Sequence, residues 1–326
     1  MLGGSYTSII APVETLATVY GPGRAGIRQM IDHAIGHWSA PPKHIVLVGA
    51  FSNSANGVVD TTTFVIPTWF IPDAGIGFWT PFVPTDDPYV FAPSSRDSTP
   101  VVSIGRIPVW TYADLQTYED KVLQYENGIL SPWKTRSLHV VEDRDLDGNN
   151  GTLAKAHADS LLAFFGAREL LNFSISSLYG TQTNPSIENE AIIPAWNAGI
   201  GYAFFYGTTG DEIQFAYFKQ NWTWCTSPLV RNFAGGGNTR GDSLFVTNQC
   251  AVVFAMTCGS TYTGMIPSAP ATCASLAQYL LATPNKGALV VTGPTRAMHE
   301  IPGYAISRAW YHATFGAPAP AYLSEP

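Results

Sequence analysis

The chain has 326 residues, with 24 acidic and 17 basic side chains and a formal net charge of −7 at neutral pH. Such a length suits one large α/β domain or two smaller ones, and the acidic balance excludes the basic field that nucleic acid or an anionic membrane surface would need. Charged residues make up only 13%, about half the usual share of roughly 25%, and with nine Trp and fifteen Tyr the composition suits a secreted, periplasmic or cell-surface protein better than a cytosolic one.

No run of 18 apolar residues occurs, so no membrane insertion is expected. The start, MLGGSYTSII, lacks the basic region and long apolar core of a signal peptide. Four cysteines, Cys225, Cys250, Cys258 and Cys273, allow three full pairings, and no C-x-x-C suggests a zinc ribbon.

Residues 24–38, RAGIRQMIDHAIGHW, put Ile27, Met30, Ile31, Ala34, Ile35 and Trp38 on one helical face. His33 and His37 lie four apart on this helix. That spacing can hold a metal, but no third ligand lies nearby, so a solvated or capping pair is the plainer reading. HIVLVGA at 44–50 is a short β-branched run, expected to be a strand buried on both faces. Residues 51–100 carry many Pro, Gly, Ser and Asp and predict long loops with one short strand near 64–66. VVSIGRIPV at 101–109 predicts another buried strand. Its Arg106 is a charge inside a core pattern and needs a fixed ion-pair partner. TYADLQTYEDKVLQYENG then predicts a helix, with Thr111 as N-cap and Asp114 three residues on. Leu115, Tyr118, Val122 and Tyr125 line its inner face.

A second series follows: strand 137–143, helix 153–167, strand 173–179, helix 187–198, strand 199–207, strand 250–258, helix 273–283, strand 287–293 and helix 303–315. Strands alternating with helices imply right-handed βαβ crossovers and a mostly parallel sheet. The expected fold is therefore α/β, in two consecutive mostly parallel-sheet subdomains. They would span 1–133 and 134–316, joined near LSPWKT and followed by a linker-like tail at 317–326. Working residues of such sheets sit just past the carboxyl ends of the strands. His139 alternates within its strand and reads as a packed core histidine. Asp143, Asp145 and Asp147 with Gly148 form DRDLDG, the opening of a calcium loop whose alternate side chains converge on one cation, although Ala154 stands where a full loop has Glu. FAGGGNTRGD at 233–242 lacks the Lys-Ser/Thr of a phosphate loop and carries no nucleotide role.

Several segments resemble, in order, the gingipain family of cysteine peptidases: HIVLVGA, TDDPYV with Asp86, Asp87 and Tyr89, SIGRIPVWTYADLQTYEDKVLQYENG, NAGIGYAFFYGTTGDE, CAVVFAMTCGS and CASLAQYLLATPNKGALVVTGPTR. The resemblance implies that the second subdomain is caspase-like and carries a Cys/His dyad. Cys258 would hold the nucleophile position, with backbone N–H groups at Gly259 and around Gly207 as the oxyanion region. The loop that leads to His299 would border the pocket for the residue before the scissile bond. The resemblance also implies protein or peptide partners, no required cofactor, and structural calcium at Asp143–Asp147 or near Asp86 and Asp87.

Two departures stand out. The family's GHG histidine is missing, and YGTTG puts Thr208 or Thr209 at its place. Ala50 replaces the aspartate of the family's VGD. A threonine hydroxyl does not titrate near neutral pH and cannot serve as the base. His299 is a candidate relocated base, against the plain reading of a surface-loop histidine. Cys258 itself has two alternative readings, a buried structural thiol or a disulfide with Cys273. The expectation is a gingipain-like cysteine peptidase domain, weak or inactive for want of the histidine. The alternative is a catalytically dead pseudopeptidase serving as a binding or scaffold domain of a secreted protein. Oligomeric state stays open.

Overall fold

The computed structural model describes residues 7–51, 65–72, 82–91, 100–127, 131–141, 156–157, 159–161, 174–179, 195–206, 249–256, 261, 277, 280–281, 284–285, 287–295 and 300–315. Helices α1 (Val13–Tyr20) and α2 (Gly23–His37) open the chain. Gly21 joins them at φ 92°, and a Cβ on Gly26 would sit 1.7 Å from the Gly21 carbonyl oxygen, so this corner closes only on bare glycine. The buried face of α2 holds Gly26, Ile27, Ile31 and Ala34, as its periodicity predicts.

Strands β1 (His44–Val48) and β4 (Ser103–Ile107) pair in parallel, His44 with Ser103 through Val48 with Ile107. They are not buried on both faces as the apolar runs suggest. Leu47 packs with Ile27, Ile31, Tyr89 and Val90, and Ile45 and Ile104 lie against that cluster, while Val46 is 58% exposed. A short run of Ile, Val and Leu hides a period of two, because the outward residue is as apolar as the inward ones. Between these strands lies an antiparallel hairpin, β2 (Trp69–Pro72) with β3 (Phe82–Thr85), in a region read from sequence as loops. Pro72 and Pro84 mask the strand signal, yet an outer ribbon tolerates proline where its missing N–H would face away from the partner. The short strand expected near 64–66 is a single bridge, Ala50 to Val65.

Helix α3 (Tyr112–Asn127) begins with the predicted cap. The Asp114 N–H donates to Thr111 Oγ1 at 3.1 Å and the Thr111 N–H donates to Asp114 Oδ2 at 3.0 Å, a capping box with Asp in place of Glu. A 3-10 turn at Pro132–Thr135 leads into the second half. There β5 (Arg136–Val141), β6 (Ser174–Tyr179), β7 (Tyr202–Tyr206), β8 (Ala251–Met256) and β9 (Ala288–Thr292) form one sheet in the order β6-β5-β7-β8-β9. Every neighbouring pair in it is parallel. Helix α4 (Glu300–Phe315) covers one face. Trp310 stacks on Phe254 at 4.3 Å and Tyr311 meets Phe204 edge-on at 5.2 Å. The other face buries Leu138, Ala203, Phe205, Ala251, Val253 and Ala255 against Trp196 and Leu280. No ladder joins the β1/β4 pair to the five-stranded sheet among the described residues.

The two halves are tied through α3. Tyr118 donates its hydroxyl to the Leu289 carbonyl at 3.1 Å. Lys121, 1% exposed, donates from Nζ to the carbonyls of Leu280 and Leu281 at 2.8 Å each. Burial pulls the pKa of this ammonium down to about 8 and raises that of the neighbouring Cys250 thiol. Cys250 is a free, buried cysteine, so the four cysteines are not all paired. No helix among the described residues is long and apolar enough to cross a membrane.

His139 is the core histidine that its alternation predicts, 1% exposed. Its Nε2 lies 2.8 Å from Ser137 Oγ and its Nδ1 3.2 Å from the Tyr311 hydroxyl. Burial pushes its pKa down to about 3. An unfolded-chain imidazole titrates near ~6.5. Above that value neither state binds the proton and the stabilisation is complete. As pH falls from about 6.5 toward 3, only the unfolded state gains the proton, so this group lowers stability by up to about 1.4 kcal/mol per pH unit. Urea midpoints measured from about pH 7 to pH 4 should fall more steeply for the wild type than for His139→Gln. Equal slopes would assign the acid sensitivity to other groups.

Candidate active-site edge

The candidate catalytic positions follow the ends of two adjacent parallel strands. β7 pairs with β8 from Tyr202 opposite Val252 to Tyr206 opposite Met256. Thr208 is the second residue past Tyr206, and Cys258 is the second residue past Met256. At a strand rise of ~3.3 Å per residue, at most ~7 Å of chain separates either position from this last described pair. Thr208, Thr209, Gly207, Cys258, Gly259 and His299 themselves lie outside the described residues, as do Asp143, Asp145, Asp147 and Cys273. What is described is the frame that delivers them.

One wall of that frame is the segment past β9. Thr261, three residues after Cys258, donates its hydroxyl to the Gly293 carbonyl at 2.7 Å and its N–H to the Pro294 carbonyl at 3.3 Å. Thr295 donates its hydroxyl to the Pro84 carbonyl on β3 at 3.1 Å. Residues 293–295 are thus held between Thr261 and the hairpin of the first half.

The hairpin is fixed in turn by Arg106. Its Nε and Nη2 donate to the two carboxylate oxygens of Asp86 at 2.8 and 2.7 Å. Nη1 donates to the carbonyls of Gly49 at 2.8 Å and Ile66 at 2.9 Å. Thr68 adds its hydroxyl to Asp86 Oδ1 at 2.7 Å. The side chains of Arg106 and Asp86 are only 8% and 19% exposed, so this is the fixed structural pair that the sequence requires. It joins the carboxyl end of β1 to the turn after β3, where Tyr89 sits fully buried and burial raises the pKa of its phenol. Ala50, at the place of the family's aspartate, is fully buried; its N–H donates to the Val109 carbonyl at 2.9 Å.

Asp86 and Asp87, one of the two acidic clusters considered for calcium, flank the start of this 3-10 turn. The Asp86 charge is met by the guanidinium, which removes the cost that would call for a cation there. No group of three or more His, Cys, Asp or Glu among the described residues could hold a metal. His33 and His37 sit far along the chain from this edge, exposed on α2. The burial of Lys121 is not legible from its residue type, although its place on the helix agrees with it. It lies three residues after Tyr118 and four before Tyr125, on the face those tyrosines were read to line.

The model of peptidase family C25 matches residues 6–324. The chain belongs to peptidase family C25. Its fold is that of the gingipains. It aligns with the crystal structure of the Arg-specific cysteine proteinase gingipain R at TM-score 0.66 and 17% identity, over 94% of this chain and 60% of that one. It aligns with the complex of the RgpB pro- and mature domains of Porphyromonas gingivalis at TM-score 0.64 and 18% identity, over 93% and 60%. The C25 chain therefore spans about 60% of the length of the solved structures it matches. A comparison with curated proteins finds no match. Membership of C25 makes this a cysteine-peptidase domain by family.

Arg106→Met should cost about 3–5 kcal/mol, because it strands a largely buried carboxylate. The double variant Arg106→Met with Asp86→Leu should recover part of the loss. Urea unfolding of the three proteins checks this, and a single-variant loss below about 1 kcal/mol would mean the pair is solvated in solution.

Proposed function

We propose that this C25 domain keeps the cysteine position of a peptidase at Cys258 but hydrolyses peptide bonds weakly or not at all. The observation that carries this reading is YGTTG, with Thr208 and Thr209 where the family has its histidine. Support comes from the β7–β8 ladder, which ends on Tyr206 and Met256 side by side and so gives both segments a common exit from the sheet. In an active form the Cys258 thiolate would attack the scissile carbonyl. Backbone N–H groups at Gly259 and near Gly207 would hold the oxyanion, and an imidazole would move the proton. A thiol with no imidazole partner titrates near ~8.5, leaving a few per cent of thiolate at neutral pH. His299 is the candidate for the role of a relocated base.

With the base absent, the domain binds protein or peptide segments without turning them over, or serves as a scaffold within a larger secreted or cell-surface protein. The low charged content and high aromatic content support that location. No cofactor is needed for either role. A structural calcium at Asp143, Asp145 and Asp147 belongs to the same proposal, and an unchanged thermal midpoint on adding a chelator would remove it.

The rate of Cys258 alkylation across pH tests the reading, with Cys258→Ala as the blank for the other thiols. A rate that rises only above about pH 8 is expected. A plateau reached already near pH 5–6 would show a Cys–His ion pair and overturn it. Loss of that plateau in His299→Ala would name the base.

A further inference from the structure

Strands β8 and β9 stay paired as far as Phe254 opposite Thr292. Further along the chain, Thr261 comes back to the residues just past Thr292. Its hydroxyl donates to the Gly293 carbonyl at 2.7 Å and its N–H to the Pro294 carbonyl at 3.3 Å. Phe254 and Thr261 thus meet neighbouring points of one segment, and Cys258 lies between them in sequence. Residues 293–295 make a short, stiff strap, because Pro294 fixes its own φ and has no N–H to pair. The far end of the strap crosses to the other half of the chain, where Thr295 donates its hydroxyl to the Pro84 carbonyl at 3.1 Å.

Pro84 belongs to a hairpin that is itself anchored. Phe70 pairs with it across the ribbon. The Arg24 guanidinium of α2 lies over the Trp69 ring at 4.9 Å and donates to the Thr68 carbonyl at 3.3 Å. Arg106 of β4 grips Asp86, two residues beyond Pro84, through both carboxylate oxygens.

We propose that Thr295 is a positioning residue for the Cys258 segment: through its hydroxyl the anchored hairpin sets where residues 293–295 lie, and these in turn set Thr261. The proposal rests on Cys258 holding the nucleophile position. The β7–β8 ladder fixes the chain up to Met256, and the two Thr261 bonds fix it again at 261. A reacting group has to be held within about 0.5 Å of its productive place, so an anchor on each side of it matters more than either alone. Thr295 acts through Thr261 and takes no part in the chemistry.

Amide hydrogen exchange at Thr261, followed by nuclear magnetic resonance in the full chain, reads the strap directly, since this N–H is bonded to Pro294. Thr295→Val keeps the shape and loses the hydroxyl. It should speed exchange at Thr261 about fivefold, the opening expected for one lost hydrogen bond, and leave the Phe254 amide of β8 unchanged. Thr295→Ser keeps the hydroxyl and should exchange as the wild type does. The rate of Cys258 alkylation by iodoacetamide, with Cys258→Ala as the blank, should change by about the same factor in Thr295→Val and not in Thr295→Ser. The exchange result does not depend on how reactive Cys258 is, so failure of the peptidase reading, seen in the pH profile of alkylation, is told apart from failure of this one. Unchanged exchange at Thr261 in Thr295→Val would overturn the proposal. So would equal acceleration at Phe254, which would mean general loosening, or faster exchange with no change in Cys258 alkylation, which would leave Thr295 a structural contact only.

Discussion

Five successive pairings between β7 and β8, Tyr202 with Val252 through Tyr206 with Met256, set the point where both candidate catalytic segments leave the sheet. A slip of one residue would turn every side chain of β8 to the opposite face. Packing on both faces forbids it. Ala251, Val253 and Ala255 pack toward Trp196 and Leu280, while Phe254 on the other face is stacked between Phe204 and Trp310. All six residues of β8 are buried. The central strand is thus locked as far as Met256 by shape as well as by hydrogen bonds.

The first half of the chain braces this sheet at both ends. Near the start of β9, Lys121 is sunk against the carbonyls of Leu280 and Leu281. Gly287 lets the start of β9 pack against the Leu280 backbone, since a Cβ there would lie 2.3 Å from the Leu280 oxygen. Past the end of β9, Thr295 reaches the Pro84 carbonyl of the hairpin. The hairpin stays in place because Arg106 ties Asp86 to the carbonyls of Gly49 and Ile66. A buried ion pair contributes little net stability beside an apolar equivalent. Its role here is geometric, joining the end of β1 to the turn after β3 and so aligning the wall beside the candidate site.

Much of this architecture is legible in the sequence, and the exceptions have physical causes. The parallel sheet shows itself through alternating apolar strands and amphipathic helices, and the α3 cap through Thr111 and Asp114. His139 and Arg106 are legible as a polar and a charged group inside apolar patterns that demand partners. The hairpin at 69–85 was hidden by its prolines, and the exposed side of β1 by a uniformly apolar run in which Val46 resembles its inward neighbours. Lys121 was hidden because a lysine on a helix normally lies on the wet face. Only its partners, two carbonyls about 160 residues away in sequence, explain its burial. The proposal about catalysis rests on sequence alone: YGTTG contains no histidine.

The central claim is that a peptidase frame survives around an absent base. Restoring an imidazole tests it most directly, by assaying Thr208→His and Thr209→His against a mixed peptide library beside the wild type. The account predicts hydrolysis in one of the two variants well above the wild-type level, abolished when Cys258→Ala is added. Two variants that fold normally and show no gain would contradict it, as would a wild type that already cleaves as fast as either.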